Sequence, residues 1–246
     1  MKRQIYLLPA LVFFVIFIVF TVVVKTCDVA YLMNVDDLYL NKVNAYIGLS
    51  HFNIGTNYWV NHFEKLGAMK LISDIYLYIS LVFPVGFFIG FIYQWISRKS
   101  FKKIDRMLLL MLASSIMVVI VYLFFEIFKV NYAPDAINND ELHASYPSSH
   151  VFVGGTFLTT GFLTLIYYLK IKNTFVKAGI FLALIALESM TTLARLLSGK
   201  HWASDIIASS LLVLTFVSLF YYLEHYFVLK EFDSSIEVAE KGEEQK

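Results

Sequence analysis

Six stretches of this chain stay apolar for about the 20 residues that a helix needs to cross a bilayer. They are Ile5–Val24, Ile75–Ile96, Met107–Phe128, Val151–Leu169, Phe175–Ala194 and Ile206–Val228. Backbone groups have no water to bond in hydrocarbon, so runs of this length are expected as helices. The composition agrees: of 246 residues, 59% are hydrophobic and 17% aromatic, too apolar for a soluble globular domain. The expected fold class is therefore all-α, a polytopic membrane protein with six transmembrane helices. The third, fifth and sixth runs each carry one glutamate (Glu126, Glu188 and Glu224), which blurs their ends but not their existence. "MKRQ" resembles the charged start of a signal peptide, but the apolar run is too long and no small-x-small cleavage site follows. The first run is read as a retained helix.

Other classes drop out quickly. A net charge of +1 offers no basic field for nucleic acid. A single cysteine, Cys27, excludes an internal disulfide. Cys-x-x-Cys and His-Glu-x-x-His patterns are absent, so the sequence suggests no metal.

Basic residues set the expected orientation. Five Lys/Arg residues fall in 97–106 and three in 170–177, and Lys2 and Arg3 precede the first run. With six helices all three segments share one side, which is read as cytoplasmic. Both termini then lie inside, and the protein is expected in the plasma membrane. Residues 1–230 are expected to form one membrane domain, and 231–246 a disordered cytoplasmic tail. The loops 25–74, 129–150 and 195–205 face outward. In the first, Asp36 and Asp37 suit a helix start, and interfacial amphipathic helices are expected, anchored by Trp59 and nearby tyrosines. His51 and His62 in that loop are read as surface residues.

The other two outward loops hold nearly all the polarity that membrane insertion does not explain. "ARLLSGKHWASDI" brings Arg195, His201 and Asp205. If helix six begins near Gly199, His201 and Asp205 are an i,i+4 pair on one face. The carboxylate then accepts Nδ1–H and leaves Nε2 with a free lone pair. Arg195 suits bidentate phosphate or carboxylate binding. "YPSSHV" places Ser148 and Pro147 at a helix start, so free N–H groups there make an anion site beside Ser149 and His150. Each feature alone also has an ordinary explanation: Arg195 paired with Asp205, His201 at the interface, a capped membrane helix at Ser148. Together they are an inventory for phosphoryl transfer through a phosphohistidine without a metal. His201 attacks phosphorus, Asp205 orients it and His150 protonates the leaving oxygen. Lys129, Arg195 and the N–H groups near Ser148 and Ser149 steady the equatorial oxygens.

These residues resemble the motifs of the type 2 phosphatidic acid phosphatase superfamily, the integral-membrane lipid phosphatases. That family's pattern is K-x6-R-P, P-S-G-H and S-R-x5-H-x3-D. Here Arg195, His201 and Asp205 keep the third spacing, with Ala194 for the usual Ser, and Pro147-Ser148-Ser149-His150 keeps the second, with Ser149 for Gly. The first departs: Lys129 is present, but Ala136-Ile137 stands where the family has Arg-Pro. His143 or Asn131 is a candidate substitute for the missing cation. The resemblance implies a metal-independent hydrolase with no cofactor, an outward-facing site and a lipid phosphate as substrate. Undecaprenyl pyrophosphate comes first, with phosphatidylglycerol phosphate and phosphatidic acid as similar candidates. Two other readings remain open: a phosphotransferase that passes the phosphoryl group to a lipid or sugar acceptor, and a non-catalytic lipid-phosphate binding protein. Glu188, seven residues before Arg195 on nearly the same helix face, is either an accessory site residue or an intramembrane carboxylate paired with Arg195 or another polar group. The sequence leaves the oligomeric state open.

The charge pattern generates a labelling test. A cysteine at Ser100 is expected to resist an impermeant thiol reagent in intact cells, and one at Asn139 to react. The opposite pattern would reverse the orientation.

Overall fold

The computed structural model describes residues 4–27, 32–33, 37–38, 66–131, 133, 144–198 and 200–228. The expected amphipathic helices of the first outward loop, His51, Trp59, His62, Ala136, Ile137, His143 and the tail 231–246 lie outside them. Apart from its turns and connections, the described chain is helical, with one two-residue antiparallel rung, Leu32–Met33 against Asp37–Leu38. Among the described residues, six helices are long and apolar enough to cross a membrane: α1 (Leu8–Cys27), α2 (Leu66–Arg98), α3 (Arg106–Ile127), α4 (Ser149–Tyr168), α5 (Thr174–Leu197) and α6 (Ala203–Leu223). Glu224–Val228 continues α6 as a π-helical turn. The chain is an all-α, multi-pass membrane protein.

One boundary differs from the hydropathy reading by a wide margin. α2 begins at Leu66, not near Ile75. Its first turns carry Lys70, Ser73 and Asp74, polar residues that a hydropathy window trims away. At 33 residues the helix is ~50 Å long, well beyond the ~30 Å hydrocarbon core. Its polar N-terminal turns therefore have room outside the apolar layer.

α4 is the central helix. It packs against α2, α3, α5 and α6, while α1 lies along α6. In α4, 67% of the apolar stretch is buried, against 33% or less in each of the other five. A helix surrounded by helices gains nothing from being greasy all round, and α4 is indeed the least apolar of the six. It contacts its neighbours through small residues, which let backbones approach closely. A Cβ on Gly154 would sit 2.6 Å from the Tyr76 ring, and one on Gly155 2.7 Å from the Glu188 carboxylate. One on Gly161 would overlap Phe83. The buried hydroxyls of Thr160 and Thr164 bond back to the carbonyls four residues earlier, so they add no unmet polarity.

Side-chain caps close the turns at the end of the bundle away from the N-termini of α2, α4 and α6. Asp105 accepts from the N–H of Met107 at 2.9 Å to start α3. Asn173 accepts from Phe175 and Val176 to start α5. The basic segments 97–106 and 170–177 lie at this end. The opposite end gathers the C-termini of α1, α3 and α5 and the N-termini of α2, α4 and α6.

The close approach at α4 gives a stability contrast. Gly161→Ala is expected to destabilise by about 1–3 kcal/mol through overpacking against Phe83. Gly179→Ala on α5, where a Cβ meets nothing within 4 Å, is expected to be neutral or slightly stabilising. Thermal unfolding in detergent measures both.

Candidate active site

The N-termini of α4 and α6 are knitted together. Ser148 N–H donates to the Asp205 carbonyl at 3.4 Å. Ser209 Oγ lies 3.1 Å from the Ser148 carbonyl and 2.6 Å from that of Asp205. Ser148 is the N-cap of α4 but its hydroxyl makes no capping bond. That hydroxyl is buried without a partner among the described residues. The first N–H groups of a helix have no intrahelical acceptor, and those of Ser149, His150 and Val151 take none among the described residues. Unpaired donors at a helix start make a seat for an anion.

α5 delivers Arg195 to this seat from its last turn. Arg195 is only 7% exposed. Nη2 is 2.9 Å from His201 Nε2. Nη1 is 3.4 Å from Ser73 Oγ and 3.8 Å from Asp74 Oδ1. Arg195 is therefore not paired with Asp205; it reaches across to α2 and to His201.

His201 does not sit on α6 as expected. The helix starts at Ala203, not near Gly199, so His201 lies in the turn before it. The reason is Asp205, which stands three residues into the N-terminus and accepts from the N–H of Trp202 at 2.9 Å, the backward half of a capping box. Its Oδ2 is 3.6 Å from His201 Nδ1. The nearer acceptor for Nδ1 is the Ser145 carbonyl, at 3.0 Å. A carbonyl only accepts, so Nδ1 carries the proton and Nε2 carries the lone pair. Arg195 donates to that lone pair. In this tautomer the nearer acceptor of Nδ1–H is a backbone carbonyl and not the Asp205 carboxylate. Burial depresses the His201 pKa; Asp205 opposes this and the Arg195 cation reinforces it.

His150, in the first turn of α4, bonds through Nε2 to Asp74 Oδ1 at 2.9 Å. Its Nδ1 is 3.5 Å from Ser149 Oγ. The structure thus brings His150, Ser148, Ser149, Arg195, His201 and Asp205 to one place. Asn131 is buried nearby, and its carbonyl accepts from the N–H of Ser145 at 3.1 Å, behind His201. Lys129 follows α3 and is exposed, its carbonyl bound by Lys25 Nζ at 2.7 Å. Glu188 is two turns deeper on α5, where its carboxylate accepts from Tyr76 OH rather than pairing with Arg195. Sequence reasoning missed Asp74, Ser73 and Ser145. A lone carboxylate near the end of an apolar helix was the available signal for Asp74.

A family model, the PAP2 superfamily, matches residues 108–229. The chain belongs to the PAP2 superfamily. Membership implies phosphatase activity on lipid phosphates. The matched span contains every site residue from Lys129 to Asp205 and excludes α1 and α2. No curated protein and no solved structure matches the chain. Among the described residues of this PAP2 chain, no group of three or more His, Cys, Asp or Glu is placed to hold a metal ion.

His201 yields a pH prediction. Its neutral form carries the lone pair, and protonation puts a cation in a buried site beside Arg195. The depressed pKa keeps Nε2 available to lower pH, so the acid limb of kcat/KM is expected below the ordinary histidine value of about 6.5. A limb at or above that value would contradict the burial argument.

Proposed function

We propose that this protein is a metal-independent lipid phosphate or pyrophosphate phosphatase that works through a phosphohistidine on His201. The observation that carries the reading is the placement of the Arg195 guanidinium 2.9 Å from His201 Nε2. The phosphate ligand and the lone pair that would attack it already touch. An arriving phosphoryl group takes the guanidinium donors in place of Nε2 and brings phosphorus to the freed lone pair.

The steps then balance. Nε2 bonds to phosphorus as the bond from phosphorus to the leaving oxygen breaks. That oxygen takes a proton from His150 and departs as the lipid alcohol, or as the lipid monophosphate from a diphosphate. Neutral His150 then takes a proton from water while the water oxygen attacks phosphorus. The N–P bond breaks, inorganic phosphate leaves and His201 regains its lone pair. Arg195, Lys129, the N–H groups of α4 and the Ser148 hydroxyl hold the equatorial oxygens. Asp205, buried near Nδ1, offsets the positive charge that forms on the imidazole. Asn131 supports this through Ser145. Undecaprenyl pyrophosphate is the first substrate candidate, followed by phosphatidylglycerol phosphate and phosphatidic acid.

The site lies at the end of the bundle opposite the basic segments 97–106 and 170–177. By the positive-inside rule it faces the outside of the plasma membrane, with both termini in the cytoplasm.

The test is phosphate release from a panel of these lipids by purified protein, with and without chelator. Release is expected to be chelator-insensitive, to leave acid-labile phosphate trapped on His201, and to vanish in His201→Ala. Release from His201→Ala, or phosphate recovered on an added alcohol acceptor instead of in solution, would overturn the hydrolase reading.

A further inference from the structure

Asp74 is the one acidic residue of α2, with 26% of its side chain exposed. Such a group is costly in a membrane protein unless it is partnered or used. Its Oδ1 touches two groups of the site at once, His150 Nε2 at 2.9 Å and Arg195 Nη1 at 3.8 Å. The preceding residue, Ser73, also reaches Arg195. Both residues belong to α2, outside the span 108–229 that the PAP2 model matches.

We propose that Asp74 is a positioning residue for the general acid, so that each histidine of the site has its own carboxylate and Arg195 bridges the two pairs. The proposal rests on the phosphohistidine reading above. A protonated His150 faces cationic Arg195 from α5 and His201 from the connection between α5 and α6. Asp74, from α2, is the carboxylate that contacts it, and it offsets the repulsion from Arg195. The pairing also fixes the ring. With Nε2 held by Asp74, Nδ1 is the nitrogen left to give a proton to the leaving oxygen. Asp74 therefore acts through His150 and never touches phosphorus. Its contribution grows with the need for a proton, small for a phenol and large for an alkyl alcohol.

The experiment uses the full chain in detergent micelles, as wild type, Asp74→Asn and Asp74→Glu. Values of kcat and KM are measured over phosphate monoesters from p-nitrophenyl to a long-chain alkyl alcohol. Asp74→Asn is expected to cut kcat for the alkyl ester ~10- to 100-fold more than for the aryl ester, with KM changing far less than kcat. Asp74→Glu is expected to restore part of the alkyl rate. An equal loss across leaving groups, or a loss confined to KM, overturns the proposal. Histidine-selective 15N spectra, with His150 assigned through His150→Gln, need no turnover. Asp74→Asn is expected to move the His150 ring signals and leave those of His225 in place; unmoved His150 signals overturn the pairing. If wild type releases no phosphate from any ester, the phosphatase reading fails, and the spectra alone decide the pairing.

Discussion

The guanidinium of Arg195 is the point on which the site turns. It is buried at the end of α5 and spans from His201 Nε2 to Ser73 and Asp74 on α2. A buried cation with these contacts ties three parts of the chain together, and breaking one side leaves a charge with poor compensation. Such a group also suits a phosphate, because its planar fork matches tetrahedral oxyanions. Structural and chemical demands thus fall on one side chain. The guanidinium satisfies the histidine lone pair; in the proposed reaction a phosphate would be the better acceptor.

The fold serves this arrangement by alternation. The N-termini of α2, α4 and α6 and the C-terminus of α5 meet at one end. N-termini bring unpaired N–H groups and C-termini bring chain that can turn back. α4 stands in the middle because its glycines let α2 and α5 come close, and those two helices carry Asp74 and Arg195. The Tyr76–Glu188 hydrogen bond ties the same two helices one layer deeper. That intramembrane carboxylate, held by Tyr76, lies beneath the candidate site.

The legible part of the site was whatever side-chain spacing encodes. Arg195, His201 and Asp205 stand at fixed intervals, and Ser148 and His150 open an apolar run, so both clusters were visible in the sequence. The six spans were equally visible, because hydrocarbon demands long uninterrupted helices. Three things were not. The Ser145 carbonyl that sets the His201 tautomer is a backbone group, and every residue has one. The start of α2 was hidden because Lys70, Ser73 and Asp74 lower the hydropathy where the helix runs past the apolar layer. The start of α6 was displaced because Asp205 caps it through Trp202, a contact that an i,i+4 reading of His201 and Asp205 does not anticipate.

The order of the helices along the chain has a consequence for biogenesis. α4, the least apolar span, has α2 and α3 already made when it emerges from synthesis, and small residues on its surface are ready to receive them. The groups around His201 arrive in sequence: Ser145 just before α4, Arg195 with α5 and Asp205 with α6. Its buried, lone-pair-bearing state exists only after the last span has docked. A chain whose last span has not docked lacks those contacts, so the site is complete only in the finished bundle.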